Sequence, residues 1–183
     1  MVQRKNSPTF RREPSDPSPY GHREQTLLIG SQKRVDGYHG DVVLSRVSQY
    51  RQPGVHTSEA VTEGVRVHVT ARYVPDQSEP LRNQWHFLYT IEISNESSDT
   101  VQLISRHWTI TDANDNVQEV RGLGVIGQQP ELAPGESFEY TSGCPLNTPF
   151  GTMEGTYQMV TPSGKKFDVE IATFTLSEPY TIH

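Results

Sequence analysis

Residues 64–73 read Gly64-Val65-Arg66-Val67-His68-Val69-Thr70-Ala71-Arg72-Tyr73. Val65, Val67, Val69, Ala71 and Tyr73 alternate with Arg66, His68, Thr70 and Arg72, and a period of two residues puts every apolar side chain on one face of a β-strand. Downstream, Trp85, Phe87, Tyr89, Ile91 and Ile93 alternate with His86, Leu88, Thr90 and Glu92, and the run closes at the turn-forming Asn95 to Asp99. A third strand is expected over Val101 to Thr111, with Leu103, Ile104, Trp108 and Ile110 apolar. Asp112 to Asn116 reads as a hairpin turn, because Asn and Asp tolerate the left-handed conformation such turns need. Val117 to Arg121 then pairs back.

After a Gly-rich loop, Ala133-Pro134-Gly135-Glu136 is a turn, and Phe138 and Tyr140 mark another strand. Met153, Tyr157 and Met159 sit on a further one, and Thr161 to Lys165 turns the chain into Phe167 to Leu176. Roughly seven regularly spaced strands without helical periodicity predict an all-β sandwich of two antiparallel sheets over residues 58–183. Upstream, residues 1–25 hold four prolines and few apolar side chains, too little burial to offset the entropy of ordering the backbone. Within 26–57, Leu27 to Ile29 and Val42 to Leu44 fit either short strands or docking segments and stay unassigned. Residues 1–57 are expected to form a flexible, mildly basic extension.

The net charge of −6 conceals an asymmetry. Residues 1–57 carry nine Lys or Arg against five Asp or Glu, and residues 58–183 carry seven against seventeen, so the extension is +4 and the remainder −10. A nucleic-acid reader concentrates Lys and Arg on one face of its domain, so nucleic acid is not an expected partner. One cysteine, Cys144, excludes an internal disulfide and a multi-thiolate zinc site. Without a long apolar run near the N-terminus, neither a signal peptide nor a membrane insertion is expected, and the cytoplasm is the expected compartment.

Several ordered stretches resemble the ApaG domain family across residues 64–183: Arg106-His107-Trp108, GLGVIGQQP from Gly122 to Pro130, LAPGESFEYTSG from Leu132 to Gly143, GTMEGTY from Gly151 to Tyr157, and the terminal Ile182-His183. The resemblance implies an immunoglobulin-like or fibronectin type III-like sandwich, in agreement with the strand count. The family includes free-standing bacterial proteins associated with cobalt and magnesium efflux, and domains fused to eukaryotic F-box and polymerase-associated proteins. Those fusions imply a recognition module, although a fold alone does not fix a function. The bacterial proteins lack the extension, so the resemblance is silent about it.

Gly122, Gly124 and Gly127 spell GxGxxG, the pattern that lets a backbone approach a pyrophosphate. A dinucleotide fingerprint follows a strand and opens a helix within a βαβ unit, and here Gln128-Gln129-Pro130 leads to another strand. Two readings remain: successive backbone amides form a concave anion site for pyrophosphate or a nucleotide, or the glycines supply positive φ for a tight crossing between strands. Asp112, Asn114 and Asn116 match the opening of a calcium loop, but Val117 and Leu123 stand where that loop needs Gly and a bidentate Glu. His68, His86, His107 and His183 show no local ligand spacing, so no metal site is assigned. Glu136, Glu139, Glu154 and Asp168 show no pairing that suggests acid–base work, and Cys144, beside Pro145, reads as a loop thiol. Trp85 and Trp108 occupy alternating core positions, or, if exposed, mark a binding face.

The combined expectation is a non-enzymatic module without a cofactor that binds a protein partner through end loops or an exposed sheet edge. Arg106, Trp108 and Gln129 are its candidate partner-contacting residues, and Gly122, Gly124 and Gly127 are the candidate anion site of the alternative reading.

Overall fold

The computed structural model describes residues 30–31 and 54–179. Their strands are β1 (Gly30–Ser31), β2 (Val55–Thr62), β3 (Val65–Tyr73), β4 (Trp85–Asn95), β5 (Val101–Asp112), β6 (Val117–Leu123), β7 (Glu131–Leu132), β8 (Ser137–Leu146), β9 (Phe150–Val160) and β10 (Lys166–Ser177). The helical content described is two 3₁₀ turns, Pro75–Gln77 and Pro80–Arg82. One sheet runs β1-β8-β4-β3-β2; the other runs β10-β9-β5-β6, with β7 also on β5. All pairings are antiparallel, as expected for the sandwich.

The seven strands read from the sequence are present as β3, β4, β5, β6, β8, β9 and β10, and three more join them. β1 and β7 are too short to show a period. β2 hides its period for another reason: its inward side chains include His56, Ser58 and Thr62, which meet β10 instead of the apolar core. His56 Nε2 lies 2.7 Å from Ser177 Oγ, Ser58 Oγ donates to the Ala172 carbonyl at 2.9 Å, and Thr62 Oγ1 accepts the Glu170 amide at 3.1 Å. These bonds close one side of the sandwich. Residues 55–57 therefore belong to the sheet, ahead of the boundary placed at 58. The flexibility expected of the extension and the terminal Ile182-His183 lie outside the described residues, apart from β1, where Gly30 pairs with Tyr140 and Ser31 with Glu139.

The alternating runs do what their period requires. Val65, Val67, Val69 and Ala71 of β3 and Phe87, Tyr89, Ile91 and Ile93 of β4 are buried, facing Leu103, Met153, Tyr157, Met159, Val169, Ile171, Phe174 and Leu176 of the opposite sheet. Burying one such aliphatic or aromatic side chain stabilises the fold by about 1.5–3 kcal/mol. Trp108 sits at the centre, 5.7 Å from the Tyr89 ring, 6.1 Å from Phe174 and 6.3 Å from Tyr157, in edge-to-face contacts. Its neighbour across β9 is Gly155, where an added Cβ would lie 2.1 Å from the His107 carbonyl oxygen and 3.1 Å from the indole. The large ring needs the small residue beside it.

Polar groups inside this core are paired. Asn95, 1% exposed, donates to the Asp99 and Leu132 carbonyls at 2.8 and 2.9 Å and accepts the Ser97 amide and hydroxyl. It thereby ties the end of β4 to the segment before β8. The hydroxyls of Tyr140 and Tyr157 meet at 2.5 Å across the two sheets, and burial pushes both phenols above their usual range. Replacing either by Phe leaves the other hydroxyl buried without this partner, at a cost of about 1–3 kcal/mol. The double Phe variant is expected to lose less than the sum of the two single losses, measured as a double-mutant cycle by urea unfolding.

Candidate functional site

Two concavities lie on the outer face of the β10-β9-β5-β6 sheet. The larger, about 610 Å³, is lined by Ser105, Arg106, His107, Arg121, Gly122, Leu123, Thr156, Gln158 and Asp168. The smaller, about 320 Å³, adjoins it at His107 and Thr156 and extends to Thr109, Glu154, Glu170 and Thr173. Sheet register explains why these residues share a face. Leu123, Ser105, Gln158 and Asp168 form one cross-strand row, and Arg121, His107, Thr156 and Glu170 form the next.

Hydrogen bonds run across this floor. Ser105 Oγ donates to Gln158 Oε1 at 2.8 Å, and Gln158 Nε2 donates to Thr156 Oγ1 at 2.8 Å. Glu119 Oε2 accepts from Arg121 Nη2 at 3.2 Å and lies 3.2 Å from His107 Nε2. The Arg121 guanidinium, followed by His107, holds the Glu119 carboxyl below its usual range. Leu123, 76% exposed, stands at the rim. The result is a polar, hydrogen-bonded floor with one apolar edge.

The glycine loop borders this face. Val125 and Gln128 exchange backbone hydrogen bonds at 2.8 and 2.9 Å around Ile126 and Gly127, whose φ values are 44° and 74°, a two-residue turn with both central residues left-handed. The Gly124 amide donates to the Ile104 carbonyl at 2.9 Å. The amides of Gly124, Val125 and Gln128 are thus engaged inside the protein, and Val125 and Ile126 pack on the core. The anion-cradle reading of the GxGxxG loop needs adjacent amides aimed outward; the tight-crossing reading is the one this geometry matches.

The structure separates the three residues expected to contact a partner. Trp108 is 2% exposed and cannot meet one; it is buried between the half-buried His107 and Thr109, a core position. Arg106 donates to the Leu123 and Gly124 carbonyls at 3.2 and 2.7 Å, and Gln129 Nε2 donates to the Ile104 carbonyl at 2.7 Å. Both clamp the glycine loop onto β5, although Arg106 also lines the larger concavity. Cys144 is corrected likewise: it lies on β8, 4% exposed, and burial pushes its thiol up to about 12. Its Pro145 neighbour suggested a loop, but in the register Phe87 pairs with Cys144 and His86 with Pro145.

The Asp112–Asn116 segment is the hairpin expected. Asp112 Oδ1 accepts the Asn114 and Asn116 amides at 2.8 and 3.0 Å, and Oδ2 accepts Asn116 Nδ2 at 2.9 Å. The Asn116 amide group is the leading cause that holds the Asp112 carboxyl below its usual range. Glu136 caps the Ala133 amide at 3.0 Å, Glu154 accepts the Thr173 hydroxyl, and Asp168 lines the larger concavity. Glu139 stands exposed opposite Glu92. His68 pairs with Glu59 on one sheet and His107 with Glu119 on the other, and among the described residues no three His, Cys, Asp or Glu side chains gather as metal ligands. Donors on opposite faces do not fit a cobalt or magnesium centre. No described helix is long and apolar enough to cross a membrane. Sequence reading missed Glu119, Gln158 and Thr156; Thr156 and Gln158 carried the signal of polar residues alternating with Tyr157 and Met159, and Glu119 carried none.

Residues 75–161 match the model of the ApaG domain family. Protein ApaG of Bordetella pertussis is 62% identical over 117 residues, 64% of this chain and 89% of that protein. Protein ApaG of Methylobacterium sp. strain 4-46 is 54% identical over 122 residues, covering 67% and 94%. A crystal structure named for an ApaA protein of Bordetella pertussis superposes with a TM-score of 0.63 at 58% identity, covering 67% of this chain and all of that one.

The two loop glycines carry different loads. At Gly124 (φ 57°) an added Cβ would fall 2.1 Å from the Gln128 carbonyl oxygen, whereas at Gly127 (φ 74°) nothing lies within 4 Å. Gly127→Ala is expected to cost about 1–2 kcal/mol, the left-handed penalty alone, and Gly124→Ala clearly more, read from urea midpoints at unchanged slope.

Proposed function

Because the chain belongs to the ApaG domain family, we propose that it is a non-enzymatic, cytoplasmic binding module that receives a protein partner on the outer face of the β10-β9-β5-β6 sheet. The observation that carries this reading is the concavity of about 610 Å³ with its exposed Leu123 rim and its floor of Ser105, His107, Gln158 and Arg121. Exposed apolar groups beside organised polar ones favour protein contact. No catalytic step is assigned: the Cys144 thiol is buried and protonated, and the close His56–Ser177 pair joins β2 to β10 in the seam between the sheets. Any link to cobalt and magnesium is read as indirect, since among the described residues the histidine and carboxylate donors are dispersed.

A photo-crosslinking residue at Leu123 is expected to yield in cells a discrete adduct with a protein other than a second copy of this chain, while the same residue at Glu92, on the opposite sheet, yields none. Equal labelling from both positions, or from neither, would refute this placement.

The alternative reading, pyrophosphate or nucleotide at Gly122, Gly124 and Gly127, makes a separate forecast. With three loop amides already donating internally, millimolar pyrophosphate is expected to leave the amide resonances of residues 122–128 in place. Saturable shifts confined to that loop would reinstate the anion site.

A further inference from the structure

We propose that β6 is the site at which a second copy of this chain adds, strand to strand and antiparallel, about a two-fold axis at Val120. This strand edge goes beyond the partner-binding reading, although it shares Arg121 and Leu123 with the concavity, and the isolated chain tests it without a partner.

The argument starts from which sheet edges remain open. β2 is bonded to β10 through His56, Ser58 and Thr62, and β1 covers the β8 edge at Glu139 and Tyr140. β6 pairs with β5 alone, so among the described residues its other side is an unpaired edge seven residues long. Open edges template the addition of another strand unless their side chains oppose it.

Backbone phase identifies the free groups. The Gly124 amide bonds to the Ile104 carbonyl and the Asp112 amide to the Asn116 carbonyl, which fixes the alternation of the antiparallel ladder. Gln118, Val120 and Gly122 turn their amides and carbonyls toward β5. Val117, Glu119, Arg121 and Leu123 turn theirs outward, with the Leu123 carbonyl also accepting Arg106.

The side chains of these same four residues share the outer face, and their order is self-complementary. In an antiparallel pair centred on Val120, Val117 stands opposite Leu123 of the second copy and Glu119 opposite its Arg121. Val117 and Leu123 are 62% and 76% exposed, so the pairing covers two apolar side chains that a single copy leaves in water. Glu119 and Arg121 already touch at 3.2 Å within one strand. Two copies place four alternating charges in a square, each next to its opposite, whereas an unrelated strand would have to match both the apolar and the charged positions. Such an isologous contact closes on itself and stops at two copies.

Charge exchange tests the register. In Glu119→Arg the square holds four positive charges; in the double variant Glu119→Arg with Arg121→Glu the alternation returns. Sedimentation equilibrium of the full chain, from about 1 μM to about 1 mM, is expected to show dimerisation weakened about tenfold or more in the single variant and recovered in the double one. Like charges directly opposite destabilise strand pairs, and the two-fold axis doubles each effect. Arg121→Pro, which removes an outward amide and leaves the β5 ladder intact, is expected to abolish the dimer with an unchanged circular dichroism spectrum. A wild-type chain that stays monomeric throughout that range, a dimer indifferent to these substitutions, or a double variant that fails to recover would overturn the proposal.

Discussion

The burial of Trp108 between the two sheets is the constraint around which the other contacts are arranged. Its ring meets Tyr89 from one sheet and Phe174 and Tyr157 from its own, so the spacing of the layers is set where these four side chains interlock. β9 follows β5 closely at this point because Gly155 has no side chain to hold it away. Close packing of this kind makes even a single methyl group felt, and it leaves Ser105, His107 and Thr109 of the same strand facing outward.

The end of the sandwich shows the same economy with polar groups. Arg106 lies near the buried phenols of Tyr89, Tyr140 and Tyr157 and reaches the Leu123 and Gly124 carbonyls. Gln129 reaches Ile104 from the far side of the loop. The glycine loop is therefore fastened at both ends, and Val125 and Ile126 are pressed into the core between the fastenings. Among the described residues no buried side-chain nitrogen or oxygen lacks a hydrogen bond, which fits the high cost of leaving such a group unpaired.

The outer face of the β10-β9-β5-β6 sheet gains its character from strand order. Alternation would make it polar wherever it lay, but the neighbouring of β6 with β5 and of β5 with β9 puts Arg121, His107 and Thr156 in one line. Among the described residues the same order leaves β6 at the margin of the sheet, so the concavity and that edge share Arg121 and Leu123. The concave face and the margin of the sheet thus meet along one strand.

The sequence by itself determined the sandwich. The strict alternation in β3 and β4 leaves no arrangement but half-buried strands, and the turn residues at Asp112–Asn116 and Ala133–Glu136 mark where they reverse, because these signals depend only on neighbours a few residues apart. The family motifs were equally legible, and they pointed to this architecture before any contact was known. What only the tertiary structure decided was the use of individual residues. Trp108 in the core, Arg106 and Gln129 as clamps, and Cys144 on a buried strand depend on cross-strand register and on which sheet each strand joins. β2 escaped detection because its inward partners are polar groups on β10, more than a hundred residues away. Period and turn chemistry are local properties of a chain, whereas a site is assembled from residues brought together by pairing, and no spacing in the sequence records which strands will pair.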